Sequence, residues 1–202
     1  MEGALREAGG EPGLKLIETA LWDGAAAPRW ALHLARLRHS AALLGWDCPP
    51  IEVSGPEHPA RLRLTLDGAG RVEWQVAALP PAKSLWRLGR AGERLRSADP
   101  WLRVKSTRRA VYDRARAELP EGLDELVFLN EQDEVCDGSI TTVFFDRGQG
   151  MRTPPLSCGL LPGVLRAELA CPEEVLRAAD LPKVRLWVGN ALRGLIPAVW
   201  AG

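Results

Sequence analysis

Only four of the chain's 26 basic residues are lysines: Lys15, Lys83, Lys105 and Lys183. A lysine can lose its proton and become a nucleophilic amine, which an arginine in practice cannot. Lys105 stands in "WLRVKSTRRAVYDRARAEL" with Arg103, Arg108 and Arg109 around it, and is the candidate for a covalent amine. Asp137, in "EVCDGSITTVFF", puts a carboxylate inside an apolar stretch, where it could hold a proton on a partner base. "SCGLLPGVLRAELA" sets Gly163 just before a helix, presenting backbone N–H groups that suit a phosphate. Arg36 could grip the same phosphate through two parallel hydrogen bonds. Each feature also has a structural explanation: a surface amine, a turn acid, an unliganded helix start and a solvated guanidinium.

The elements that must position these residues follow from periodicity. "LKLIETALW" (14–22) has strand character and ends in the turn "DGAAAP". In "RWALHLARLRHSAALLG", Leu34, Leu37, Ala41 and Leu44 recur at helical spacing, and the helix ends at Gly45 with His33, Arg36 and Ser40 on a neighbouring face. "RLRLTLDGAGRVEWQVAAL" is a hairpin in which Leu62, Leu64 and Leu66 alternate and Val72, Trp74 and Val76 answer. "LPPAKSLWRLGRAGERLRSADP" reads as the connection between two halves. A helix capped near Ser106 or Thr107 follows, and then a strand meander from Glu125 with turns at "NEQDE" and "DRGQG". "LLPG" launches the helix "VLRAELA", and "VRLWVGNALRGLIPAVW" gives two strands around a polar loop at Gly189 and Asn190. The class is α+β (mixed α/β), with a small domain over 1–95 and a larger, strand-rich domain over 96–202.

Composition narrows the function classes. With 202 residues, 46% of them hydrophobic, the chain can bury a sizeable core. A formal net charge of zero gives no electrostatic case for a nucleic-acid partner. No apolar run approaches the roughly 18–20 residues needed to span a bilayer, and "MEGALREAGGEPG" has no apolar core of a signal peptide. Cys48, Cys136, Cys158 and Cys171 form neither a CxxC pair nor a zinc-like spacing, as reduced thiols of a cytoplasmic protein would not. No metal site is expected.

Taken together, an amine, an acid, a phosphate-sized anion hole and an arginine are the parts of a pyridoxal phosphate site. The order and wording of the motifs resemble the class IV aminotransferases, the fold-type IV pyridoxal phosphate enzymes, over about residues 14–200. "LIETALWDG" followed by "HLARLRHSAALLG" resembles the family's opening, which implies that Arg36 holds the phosphate. "KSTRR" resembles the segment of the Schiff-base lysine, here Lys105. "DGSITTVFF" resembles the family's E-G-x-x-x-N stretch, so that Asp137 faces the pyridine nitrogen. "LLPGVLR" resembles its L-x-G-I-T-R turn, placing Leu161 against the ring and Gly163, Val164 and Leu165 at the phosphate. "GNALRGLIP" resembles the last phosphate loop, with Asn190 and Ala191, and its wording is nearest the 4-amino-4-deoxychorismate lyases.

Four positions depart from the family pattern. Asp137 stands where a glutamate is usual, Thr142 for the motif's asparagine, Leu165 for a threonine, and Arg108 for an asparagine three residues after the lysine. The small domain is also abbreviated. The resemblance implies a small-molecule substrate carrying an amino group, a homodimer, and proton transfer by a neutral Lys105, with Arg108 and Arg109 as candidates for a substrate carboxylate. The wording leans to lyase chemistry, in which aminodeoxychorismate loses pyruvate to give 4-aminobenzoate. The competing readings are a branched-chain or D-amino acid transaminase and a catalytically silent homologue that binds the cofactor.

Overall fold

The structure, a computed structural model, describes residues 2–202. It divides into two compact units: the chain up to Pro81 together with Val104–Arg108, and Ala82–Arg103 together with Arg109–Gly202.

The first unit contains helix α1 (Glu2–Ala8), strand β1 (Lys15–Trp22), helix α2 (Trp30–Leu44) and strands β2 (Ala60–Asp67) and β3 (Val72–Ala77). The strands form an antiparallel sheet in the order β1-β2-β3. As the alternation of leucines predicts, Leu62, Leu64 and Leu66 all point to the buried side of β2. The turn is closed by Asp67, whose Oδ1 accepts the N–H groups of Ala69 (3.0 Å) and Arg71 (2.9 Å). The helix expected to end at Gly45 does so: Gly45 takes φ 72°, and its N–H caps the carbonyls of Ala41 and Ala42.

One feature of this unit differs from the expected helix cap at Ser106 or Thr107. The segment 104–108 runs along the free edge of β1, with Ile17 N–H donating to Lys105 O (2.8 Å) and Thr107 N–H to Lys15 O (2.8 Å). Ser106 bridges Leu16. Backbone groups of this segment thus find their partners in a strand 90 residues earlier, so helix α3 begins only at Ala110 (Ala110–Ala117).

The second unit contains β4 (Trp86–Leu95), α3, β5 (Glu125–Asn130), β6 (Val135–Gly138), β7 (Thr142–Asp146), α4 (Val164–Leu169), β8 (Arg185–Asn190) and β9 (Gly194–Trp200). Its sheet has the order β6-β5-β4-β9-β8-β7, with β4 parallel to both neighbours and the remaining pairs antiparallel. The stretch expected as a connection therefore holds a central strand. Charged side chains obscured it, yet Trp86, Leu88, Ala91 and Leu95 are buried while the arginines and Glu93 face water.

The edge strands β6 and β7 are consecutive in sequence and joined by residues 139–141, where Gly138 N–H donates to Thr141 O (2.7 Å). The sheet curls until its two edges meet at this loop. Every residue of β5 and β7 is buried. Alternate residues of β5 enter opposite cores: Val127 and Leu129 pack with Val135, Phe145 and Val188, whereas Leu126 and Phe128 pack with Cys136 and Leu160. No described helix is long and apolar enough to cross a membrane.

Candidate active site

In the first unit the helix residues His33 and Arg36 turn inward onto Glu18 of β1. Arg36 reaches the carboxylate twice, from Nε to Oε1 (2.9 Å) and from Nη2 to Oε2 (2.6 Å), while His33 Nδ1 lies 2.6 Å from Oε2. Glu18 and His33 are each only 1% exposed. Burial opposes ionisation of Glu18, but the Arg36 charge and the hydrogen bonds from His33 and Arg36 outweigh it, taking its pKa down to about 2. The guanidinium plane of Arg36 is thereby fixed. Trp30 stacks on His33 at a ring separation of 6.1 Å and closes the cluster on the helix side.

Lys105 occupies the strand-like segment on the edge of β1, its main chain held by the Ile17 hydrogen bond. Ser106, buried beside it, has its hydroxyl oxygen accepting the Arg108 N–H (3.3 Å). Arg108 itself pairs with Glu11 (3.0 Å) at the surface.

In the second unit the structure brings together Asp137, Thr142, Leu161, Gly163, Leu165 and Asn190. Asp137 is buried near the end of β6, and Leu161 N–H points to its Oδ2 at 3.4 Å. Burial, and next the Asp137 charge, push the phenol of Tyr112 above its ordinary range. Gly163 leads into α4 against Thr142: a Cβ at 163 would stand 2.7 Å from Thr142 Oγ1. No side chain caps the first turn of α4. Leu165 packs on Gly189 of β8, where a Cβ would come within 2.5 Å of Leu165 Cδ2. Val164 and Ala191 are buried.

Two residues chosen for ligand contacts have side chains engaged with main chain. Asn190 donates from Nδ2 to Ile140 O (3.1 Å) and accepts the N–H groups of Leu192 (3.1 Å) and Arg193 (2.9 Å). Arg109 donates from Nε to Asp113 (2.7 Å) and from Nη2 to Ser139 O (3.1 Å). Both therefore hold the loop that follows Asp137.

Sequence reasoning missed the two most deeply buried acids, Glu18 and Glu125. Glu18 carried a local signal, a lone acid in the apolar strand "LIETALW". Glu125 carried none, because "LDELVF" looks like an ordinary polar strand start. Among the described residues no cluster of three or more His, Cys, Asp or Glu is placed to hold a metal ion.

Residues 15–199 match the family described as amino-transferase class IV. No curated protein matches the chain. A crystal structure from Mesorhizobium loti, provisionally named an amino-acid aminotransferase, is 41% identical. That match covers 93% of this chain and 100% of the other, with a TM-score of 0.88. A protein of Legionella pneumophila provisionally named 4-amino-4-deoxychorismate lyase is 21% identical, with coverage of 92% and 82% and a TM-score of 0.79. A hypothetical aminotransferase from Mycobacterium tuberculosis, in its α-ketoglutarate- and PMP-bound form, is 22% identical, with coverage of 96% and 84% and a TM-score of 0.78.

Proposed function

The chain belongs to the class IV aminotransferase family, whose members depend on pyridoxal phosphate, and from that premise we propose that it is an amino-acid aminotransferase working through Lys105. The observation that carries the aminotransferase reading is the Mesorhizobium loti neighbour, which matches over its whole length and bears that provisional name. A second reading, the aminodeoxychorismate lyase, is favoured by the "GNALRG" wording and by the Legionella pneumophila neighbour.

The residues fit the cofactor. A lysine amine and a buried carboxylate, Asp137, are the two groups its aldehyde and its pyridine nitrogen require. Gly163 leaves a cradle that a Cβ would fill, followed by main-chain N–H groups that no side chain caps. When bound, pyridoxal phosphate supplies an electron sink for the charge left at a substrate carbon that has lost its proton.

The chain's own residues do the rest. Lys105 Nζ would hold the cofactor's aldehyde carbon and would move the proton at the substrate's amino-bearing carbon. Asp137 would keep a proton on the pyridine nitrogen. Leu161 would pack against the ring. Gly163 and the N–H groups of Val164 and Leu165 would receive the phosphate; Arg36, whose plane Glu18 has already set, is the phosphate arginine that the family resemblance implies. Asn190 and Ala191 shape the adjoining loop.

The test is an absorbance spectrum with added pyridoxal phosphate, before and after borohydride, with peptide mapping. A yellow protein whose reduced adduct maps to Lys105, and is missing from folded Lys105→Ala, is expected. A protein that stays colourless in excess cofactor and yields no adduct refutes the reading. Conversion of the aldehyde form to the amine form by amino acids supports the aminotransferase; pyruvate released from aminodeoxychorismate supports the lyase instead.

A further inference from the structure

We infer that Glu125 is a positioning residue for Asp137, acting through the loop 139–141; the inference rests on the cofactor reading above. Glu125 opens β5 and is 0% exposed. Arg116 pairs with it only at 3.7 Å from Oε1, and the Arg193 charge also acts on it. A buried carboxylate at that distance from a cation needs hydrogen bonds to be tolerated. It has five. Oε1 accepts the N–H groups of Leu126 (3.0 Å) and Ser139 (3.0 Å) and the Ser139 hydroxyl (2.5 Å). Oε2 accepts Ile140 N–H (3.2 Å) and the Thr141 hydroxyl (2.8 Å).

Four of those five donors come from the three residues of one loop. The loop's outward carbonyls are held as well, Ser139 O by Arg109 and Ile140 O by Asn190. Gly138 is part of the same device, because a Cβ there would lie 2.8 Å from Glu125 Oε2 and 2.4 Å from Thr141 Oγ1. The loop therefore has one conformation, and its two ends are Asp137 with Gly138 on one side and Thr142, pressed against Gly163, on the other. Fixing the loop fixes the Asp137 carboxylate and the Thr142–Gly163 contact together.

Charge and shape are both needed. A carboxylate offers lone pairs on both oxygens, whereas glutamine must turn an NH2 group toward one set of donors. With its carbonyl kept at the Oε1 position, its NH2 would face Ile140 N–H, donor against donor. Glu125 touches no reacting atom in this arrangement, so its effect should show in cofactor affinity and loop order.

The experiment compares wild type with Glu125→Gln by absorbance titration with pyridoxal phosphate and by amide exchange of the cofactor-free proteins. Expected are affinity weaker by about tenfold and exchange faster by about tenfold at Ser139–Thr142, with the borohydride adduct at saturation still on Lys105. A folded Glu125→Gln with wild-type affinity and wild-type exchange overturns the role. Exchange accelerated equally in β8 and β9 marks general destabilisation and also overturns it. If wild type itself takes up no cofactor, the cofactor reading fails, and loop exchange still judges the clamp: faster rates in Glu125→Gln support it and equal rates overturn it. Should that variant not fold, Thr141→Val removes one donor at similar volume. An affinity loss of about threefold then supports the role, and unchanged affinity with unchanged loop exchange overturns it.

Discussion

Replacing Glu18 by glutamine reproduces the protonated carboxyl in shape and charge, so the substitution should cost what protonation of the folded protein costs. The Glu18 pKa falls from 4.5 to about 2 on folding, and each tenfold in proton affinity is worth about 1.4 kcal/mol. The carboxylate therefore adds about 3 kcal/mol at neutral pH. Because the folded pKa is the lower one, this stability is complete above about pH 4.5 and drains away as pH falls toward 2. At pH 3 the unfolded carboxyl is mostly protonated while the folded one is still ionised, and about 1 kcal/mol remains. Glu18→Gln should accordingly be about 3 kcal/mol less stable than wild type at pH 7 and about 1 kcal/mol less stable at pH 3. Urea unfolding at the two pH values measures both gaps. Equal gaps at pH 7 and pH 3, or near-identical stability at pH 7, would show that Arg36 and His33 do not depend on the Glu18 charge.

Gly163→Ala would set a methyl 2.7 Å from Thr142 Oγ1, so α4 must shift. Thermal unfolding should register a loss of about 1–3 kcal/mol, and pairing the change with Thr142→Ser should not recover it, because the clashing oxygen stays. Burial pushes the thiol of Cys158 up to about 12, and burial followed by the Asp137 charge raises Cys136 as well. Native protein at pH 8 should therefore modify at the half-buried Cys48 and Cys171 first, with Cys136 and Cys158 reacting only on unfolding. Peptide mapping after a short pulse of thiol reagent checks the order, and early labelling of Cys158 would contradict it.

Local patterns made some of the molecule legible without coordinates. Helix α2 ends at its glycine because a φ of 72° suits a residue without a Cβ. The β2–β3 hairpin follows from alternating leucines and a glycine turn, both properties of residues within a few positions of each other. The motifs around Arg36, Lys105, Asp137 and Gly163 are likewise short words, and the family match over residues 15–199 spans all of them.

Other features depend on pairings that sequence distance conceals. Strand β4 was hidden because Arg90, Glu93 and Arg94 break its apolar pattern. It is nevertheless central, because β5 and β9 both hydrogen-bond to it. The 104–108 segment takes strand geometry from β1 rather than from its own residues, with Lys15 N–H bonding to Thr107 Oγ1 across 92 positions. The two buried acids show the reason most plainly. A carboxylate's role is set by the donors around it, and four of the five around Glu125 lie 14–16 residues away on a loop that only the curled sheet brings back. Sequence alone determined which side chains could do chemistry and in what order they occur. Tertiary structure decided that Arg109 and Asn190 anchor the Asp137 loop and that Glu18 sets the plane of Arg36, because hydrogen-bond geometry exists only once distant strands have paired.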